Sequence, residues 1–386
     1  MQKHTRPSPA SFLKHAADVA SFYGFRPLRE IERRVPNFER RAHSFATAGN
    51  ACVQCLSLHQ GEPVLAYWAS ASPMHLPAGL KAALPGGKQS EAGEFGLNII
   101  GVPESIAEVV LLKTVATVMR EWGTPVARVR LNALGDKDSK ARFEREVSTY
   151  LRKHQAALHD ECRNKLSSEP MSPYNCQNDL CKTVVEGGPR AMNFLSEKSR
   201  LHFKEVLELS EKLGLPYEFD DLLIGDEREP RMLFAFDLEE EDATLLGSTG
   251  GRFDDHFRTL PPRREVAGVS ASIFFRKHGL SAENFKLTSS TEVPAVYFIQ
   301  LGLRAKIEGL NVVDVLRRAQ IPVMQSFDSA KLTPQLSAAR AAGVSHLLIM
   351  GQREALDGTI LVRAMNDSRQ TIVGLGDLPR YLKTLR

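Results

Sequence analysis

The stretch Gly247-Ser248-Thr249-Gly250-Gly251-Arg252-Phe253-Asp254-Asp255 is the densest chemical signal in the chain. Adjacent glycines permit positive φ and close backbone approach, so Gly250-Gly251 predicts a tight turn after a strand, with Arg252 and Asp254 set on it. No GK[ST] follows, which excludes a phosphate loop, and neither GxSxG nor GxGxxG occurs anywhere. The 5 cysteines offer a second chemistry. Cys52-x2-Cys55 has metal-knuckle spacing, Cys176-x4-Cys181 is looser, and Cys162 lies between them. Read as an alternating strand, CVQC sets Cys52 and Cys55 on opposite faces, so the expectation is free buried cysteines and no metal. The 11 histidines show no HExxH and no His/Cys cluster, and no general base is assigned among His75, His202, His256 and His346. The acidic run at 237–242 reads as a solvated loop.

The elements that must position these residues follow from length and pattern. The 386 residues suffice for two or three domains with real cores, and 42% apolar with 25% charged residues is ordinary globular composition. A disordered chain, a collagen and a coiled-coil rod are excluded. A net charge of +4 is too weak to argue for nucleic-acid binding by itself. The 12 Lys and Arg beyond residue 300 outnumber the acids there, so the basic excess gathers at the C-terminal end. No run approaches the roughly 18 apolar residues a membrane span needs. The sparse, odd cysteine set is unlike a secreted disulfide framework, and a cytoplasmic location is expected.

Residues 11–23 predict a helix stopped by Gly24, and CVQCLSL with VLAYWAS predicts a hairpin. Helices are expected at 103–122, 137–165 and 191–213, strands at 127–133, at RMLFAFDLEE and after GSTGGRFDD, with a polar connector at 166–190. The stretch near 284–292 reads as a linker. Beyond it, strand–helix alternation predicts a small α/β domain with a mixed, mostly parallel sheet.

Taken in order, the segments resemble histidyl-tRNA synthetase, a class II aminoacyl-tRNA synthetase, over almost the whole chain. FYGFRPLREIE is similar to the family's first-helix exit. EFGLNIIGVPESIAEVVLLKTVATVMREWG is similar to the strand and helix after its ATP-binding hairpin, and VRLNALGDKDSKARFEREVSTYL to the next strand and helix. HFKEVLELSEKLGLPYEFDDLLIG resembles the approach to the histidine-binding segment. GSTGGRFDDHF resembles the second histidine motif, GGRYD in most members. Residues 294–386 resemble the anticodon-binding domain, with Glu354, Gly358 and Gln370 at familiar places. The resemblance implies an α+β fold: a class II synthetase-like antiparallel sheet domain with helices over 1–285, then an anticodon-binding-like α/β domain over 286–386.

The departures fall on the catalytic motifs. The family holds the α-phosphate of ATP with an arginine in a stretch of the form FRxE; here ALPGGKQSEAGEFGLNIIG has Lys88 and no arginine. The upstream LRPE-T element is replaced by AYWASAS, and the acidic residue expected two after Gly96 is Asn98. RGLDYY becomes IGDERE, with Ile224 in the arginine position and only Gly225 kept. GxERL becomes a run with Ser272 for the glycine and Phe274-Phe275 for the Glu-Arg pair, and Arg276 one residue out of register. The first motif has Ile31 in place of its proline.

What the resemblance implies is therefore a non-catalytic tRNA- or RNA-binding or regulatory paralogue, a homodimer in the family's manner, with room for a protein partner and no membrane. No catalytic residue is assigned. A remnant ligand pocket is expected at Gly225, Gly250, Gly251, Arg252 and Asp254, and RNA contacts at Arg353, Arg363 and Arg369. The alternatives are a divergent active histidine–tRNA ligase, in which Arg228, Arg231 and Arg276 compensate and ATP and Mg are cofactors, or a regulatory subunit of another enzyme. No cofactor is expected otherwise.

Overall fold

The structure is a computed structural model that describes residues 8–34, 48–59, 63–73, 75–124, 126–225, 230–260, 263–288, 296–325, 331–367 and 369–385. Eight strands form the first sheet: β1 (Arg26–Pro27), β2 (Val64–Ser70), β3 (Ala92–Ile100), β4 (Val126–Ala133), β5 (Tyr217–Phe219), β6 (Met232–Leu238), β7 (Leu245–Arg252) and β8 (Gly268–Arg276). Their order is β1-β2-β3-β8-β7-β6-β4-β5. The six central strands are antiparallel, and the short edge strands β1 and β5 add in parallel. Among the described residues ten helices accompany the sheet: α1 (Pro9–Phe22), α2 (Leu28–Arg34), α3 (Ala48–Leu58), α4 (Ala78–Ala82), α5 (Ile106–Trp122), α6 (Lys137–Lys153), α7 (Asp160–Lys165), α8 (Asp179–Glu186), α9 (Glu197–Lys212) and α10 (Asp254–Thr259).

Strand alternation gives the sheet two faces with different fates. Tyr67, Phe95, Leu97, Phe234, Phe236, Ile273 and Phe275 point to one face and bury against α1, α5 and α9. The segment IAEVVLLKTVATVM is apolar nearly all round because α5 is packed between the sheet, α1 and α9, and it ends at Gly123 in the left-handed conformation. The other face is covered in pieces. Trp68 and Ile100 pack with Leu56 and Phe257 at one side, and Phe274 packs with Leu76, Leu84 and Leu246 nearby. Between these patches and the helices α6 to α8 the face stays open.

The second sheet joins β9 (Val296–Gln300), β10 (Val323–Gln325), β11 (His346–Met350), β12 (Thr359–Ala364) and β13 (Gln370–Gly374) in the order β10-β9-β11-β12-β13. It carries α11 (Leu303–Arg318), α12 (Leu332–Ala341), α13 (Gln352–Asp357) and α14 (Leu378–Thr384). The alternation predicted a mostly parallel sheet; two of its pairings are parallel and two antiparallel, because β12 and β13 return as a meander. The two sheets meet through helices. Asp314 on α11 pairs with Lys113 on α5 at 2.9 Å and accepts from the Tyr23 hydroxyl, and Arg317 pairs with Glu121.

The α+β class is the one expected, and four local readings are corrected. CVQCLSL lies in α3, not in a hairpin strand, because Cys55, Leu56 and Leu58 bury one helical face toward Trp68 and Leu28. The helix expected over 137–165 breaks at His154, where α6 ends, and resumes as α7 after a 3-10 turn. The connector at 166–190 contains α8, capped by Asn178. Gly250 and Gly251 lie inside β7, not in a turn. A side chain on Gly250 would overlap Phe234 and the Ser270 carbonyl, and one on Gly251 the Met232 carbonyl, so strand proximity, not positive φ, requires glycine. No helix among the described residues is long and apolar enough to cross a membrane.

Candidate functional site

The open face of the first sheet forms a cleft of about 730 Å³. Its floor is β4, β6 and β7, with Arg130, Ala235, Asp237 and Thr249 on the exposed side. One wall is the segment from His75 to Lys81, which includes α4. The other is Tyr174, Asn175, Cys176 and Gln177, joined by Leu223, Ile224 and Gly225. This volume is that of a small-molecule site.

Arg130, the arginine that lines the cleft, is already matched. Arg130 donates to both carboxylate oxygens of Asp237, at 2.8 and 3.0 Å, and to Asp220 at 2.8 Å. Such a bidentate fork leaves the guanidinium little capacity for a further anion. Asp242, at the far end of the acidic run, caps the backbone of Thr244 and Leu245, so that run is tied into loop and strand.

Arg252 lies on the other side of the sheet. Its register partner is Val269, and both point to the helix layer. There it is 4% exposed and holds Glu108 of α5 through Nε at 2.6 Å and Nη2 at 2.7 Å. His202 adds a third contact to Glu108 at 2.7 Å. Burial alone would raise the Glu108 carboxyl, but Arg252 and His202 overcome it and hold the group at about 2. Asp254 accepts from Arg252 and from the Gly268 amide, fixing the start of α10 to β8.

Of the expected pocket residues, then, Gly225 and Gly250 line the cleft, while Gly251, Arg252 and Asp254 do not. Gly225 takes a φ of 75° and packs against Pro230, a conformation that favours glycine. The compensating arginines are engaged elsewhere. Arg231 grips Asp255 at 2.8 Å and Asp254 at 3.3 Å, with Lys140 also on Asp255. Burial opposes ionisation of Asp255, yet these cations hold it at about 2. Arg276 donates to the carbonyls of Asp242, Leu245 and Ala83. Arg228 lies outside the described residues. Phe274 faces the cleft side but packs into its own cluster, whereas Phe234 and Phe275 fill the helix side, so the cleft is not plugged by these rings.

Next to the cleft, Trp68 lies over Gly96, where any side chain would overlap the indole, and donates to Asn98 at 2.9 Å. In the second domain Arg353 and Arg369 are exposed and, among the described residues, pair with near neighbours, Asp357 and Asp367, while Arg363 projects from β12. Arg317, on the same basic helix as Arg318, is spent on Glu121.

Sequence reasoning missed Glu108, Arg130 and a cysteine grouping. Glu108 was visible as a lone acid inside an apolar helical run, which only a buried cation can accommodate. The ring of His159 and the thiols of Cys162 and Cys176 lie within 4.8 Å of one another. Cys181 is buried in the same cluster as Cys162, with Cys176 packed against it. Burial first, and the neighbouring thiols second, push the Cys162 thiol up to about 12. The sequence-based pairing of Cys52 and Cys55 with Cys176 and Cys181 is not the spatial one, since Cys55 is buried in a different cluster.

No family model matches the chain. Over 302 residues it is 23% identical to the histidine–tRNA ligase of Halothermothrix orenii, an overlap of 78% of this chain and 72% of that one. The histidine–tRNA ligase of Aromatoleum aromaticum is 25% identical over 391 residues, covering 92% of this chain and 86% of that one. Among solved structures, apo histidyl-tRNA synthetase of S. aureus aligns with a TM-score of 0.44 at 18% identity, over 88% of this chain and 83% of that one.

Proposed function

The chain is a divergent member of the histidyl-tRNA synthetase family, and from that premise we propose that it is a non-catalytic paralogue. In this reading the scaffold and the C-terminal domain are kept for binding RNA or a protein partner. The observation that carries the reading is the fate of the arginines. Adenylate formation develops charge on the α-phosphate and needs a preorganised cation there. Arg231, Arg252 and Arg276 are each committed to acids or carbonyls away from the cleft, and Arg130 is forked onto Asp237 and Asp220. Losing one such donor lowers a rate by about 10²–10³, and the losses here are several.

RNA binding is part of the proposal and rests on Arg353, Arg363 and Arg369. Exposed pairs such as Arg369–Asp367 contribute little, so they yield readily to phosphate. The homodimer and the cytoplasmic location belong to the same reading. Pyrophosphate exchange dependent on histidine tests it: no exchange above background is expected, and robust exchange overturns it.

The open cleft of about 730 Å³ favours one second reading, a divergent but active ligase that uses ATP and Mg. It requires ATP to raise the melting temperature, as any ligand of the native state must.

A further inference from the structure

We propose that His159, Cys162, Cys176 and Cys181 together bind one zinc ion that staples α7 to α8 beside the cleft. The four residues come from two short stretches, His159-x2-Cys162 and Cys176-x4-Cys181, as ligands of a structural zinc site commonly do. The imidazole nitrogen and the sulfurs of Cys162 and Cys176 are mutually within 4.8 Å, and Cys181 on α8 shares their buried cluster with Cys162. A tetrahedral ion with Zn–S of about 2.3 Å places its sulfurs about 3.8 Å apart, so the side chains need only close slightly around it. Three soft thiolates with one imidazole select zinc over magnesium or calcium.

The surroundings fit thiolate ligands. The Asn178 backbone amide donates to Cys176 Sγ at 3.4 Å. Such N–H···S bonds orient and stabilise metal-bound thiolates. Cys162 and Cys181 are buried, so four protein donors would enclose the ion and leave no open position, as a structural rather than a catalytic site requires.

The fold gives the ion something to do. Around it stand α7 with 6 residues, α8 with 8, and the 3-10 turns at 155–157 and 172–175. Helices this short are not stable alone and rest on a shared buried core that includes Leu134, Phe143, Val147, Leu158, Leu166 and Val184. A metal crosslink would add a direct tie between α7, which carries Cys162, and α8, which carries Cys181. It also sets a wall of the cleft, since Cys176 lines it and the neighbouring Asn175 donates to the Gly225 carbonyl at 3.0 Å.

Elemental analysis of the full-length chain, purified with reductant and dialysed against excess zinc and then metal-free buffer, tests the proposal. About one zinc per chain is expected. Cys176→Ser, the least buried of the three thiol positions, should lose that zinc while keeping its far-ultraviolet circular dichroism. Cys55→Ala should keep it. Should Cys176→Ser fail to fold, cobalt substitution of the unaltered protein gives an independent readout: intense visible d–d bands with a thiolate charge-transfer band report a tetrahedral thiolate site. Metal-free folded protein with all three thiols open to a thiol reagent overturns the proposal. So does iron with labile sulfide, or a disulfide among the three. None of these outcomes depends on whether the chain forms an adenylate.

Discussion

Trp68 Nε1 donates to Asn98 Oδ1 at 2.9 Å across the β2–β3 pair, and this bond holds the indole flat over Gly96. The family resemblance places an acid at position 98; an amide there accepts the indole proton without burying a charge. Trp68→Phe keeps much of the ring but removes the indole donor from the buried Asn98 oxygen. A loss of about 1–3 kcal/mol in urea unfolding is expected. No change in the unfolding midpoint would show that the bond contributes nothing.

Glu108 and Arg252 form the buried pair of the helix layer. Removing the carboxylate with Glu108→Gln leaves the buried Arg252 guanidinium only the longer carboxylate contact to Asp254, for an expected loss of about 3 kcal/mol. The double change Glu108→Leu with Arg252→Met should recover part of that loss, because an apolar pair needs no compensation. Equal instability of single and double variants in denaturant titrations would refute the argument.

The same pair sets an acid limit. Glu108 is lowered from 4.5 to about 2, and Asp255 from 3.8 to about 2. A depressed carboxyl contributes stability that is full above its unfolded value and is lost as pH falls through its folded value. Melting temperature should therefore hold down to about pH 5 and fall steeply toward pH 2. Glu108→Gln should flatten that fall by its own share and leave the part due to Asp255. A wild-type profile unchanged between pH 5 and pH 3 contradicts this.

The domains are locked through Asp314. Lys113 and Tyr23 both turn to it from the first domain, and all three are buried. Asp314→Ala leaves the Lys113 ammonium without that partner, so the junction should open. Limited proteolysis should quicken several-fold, with each domain's circular dichroism retained. An unchanged cleavage rate would sink the junction's role.

How much of this was legible depended on how local the cause was. Periodicity located α1, α5 and most of the second domain because their faces are set by neighbours along the chain. CVQCLSL misled because its alternation fits a strand, and only packing under Trp68 makes it helical. Gly250-Gly251 carries a turn signature, yet its glycines answer to Phe234 and Met232 on a neighbouring strand. Arg252 was singled out correctly as special, but its partner Glu108 lies 144 positions away and no spacing rule reaches it. The cysteines failed in the same way, since topology rather than spacing brings Cys162 to Cys176 and Cys181.

RNA binding has its own signature. With Arg353, Arg363 and Arg369 changed together to Ala, the slope of log affinity against log salt for tRNA should fall by about 2–3. An unaltered slope would place any RNA elsewhere.

The central claim is that adenylation chemistry is gone, and histidine-dependent pyrophosphate exchange with purified protein, ATP and Mg tests it most directly. Exchange indistinguishable from a histidine-free control is the predicted result. Histidine-dependent exchange well above that control would contradict the account.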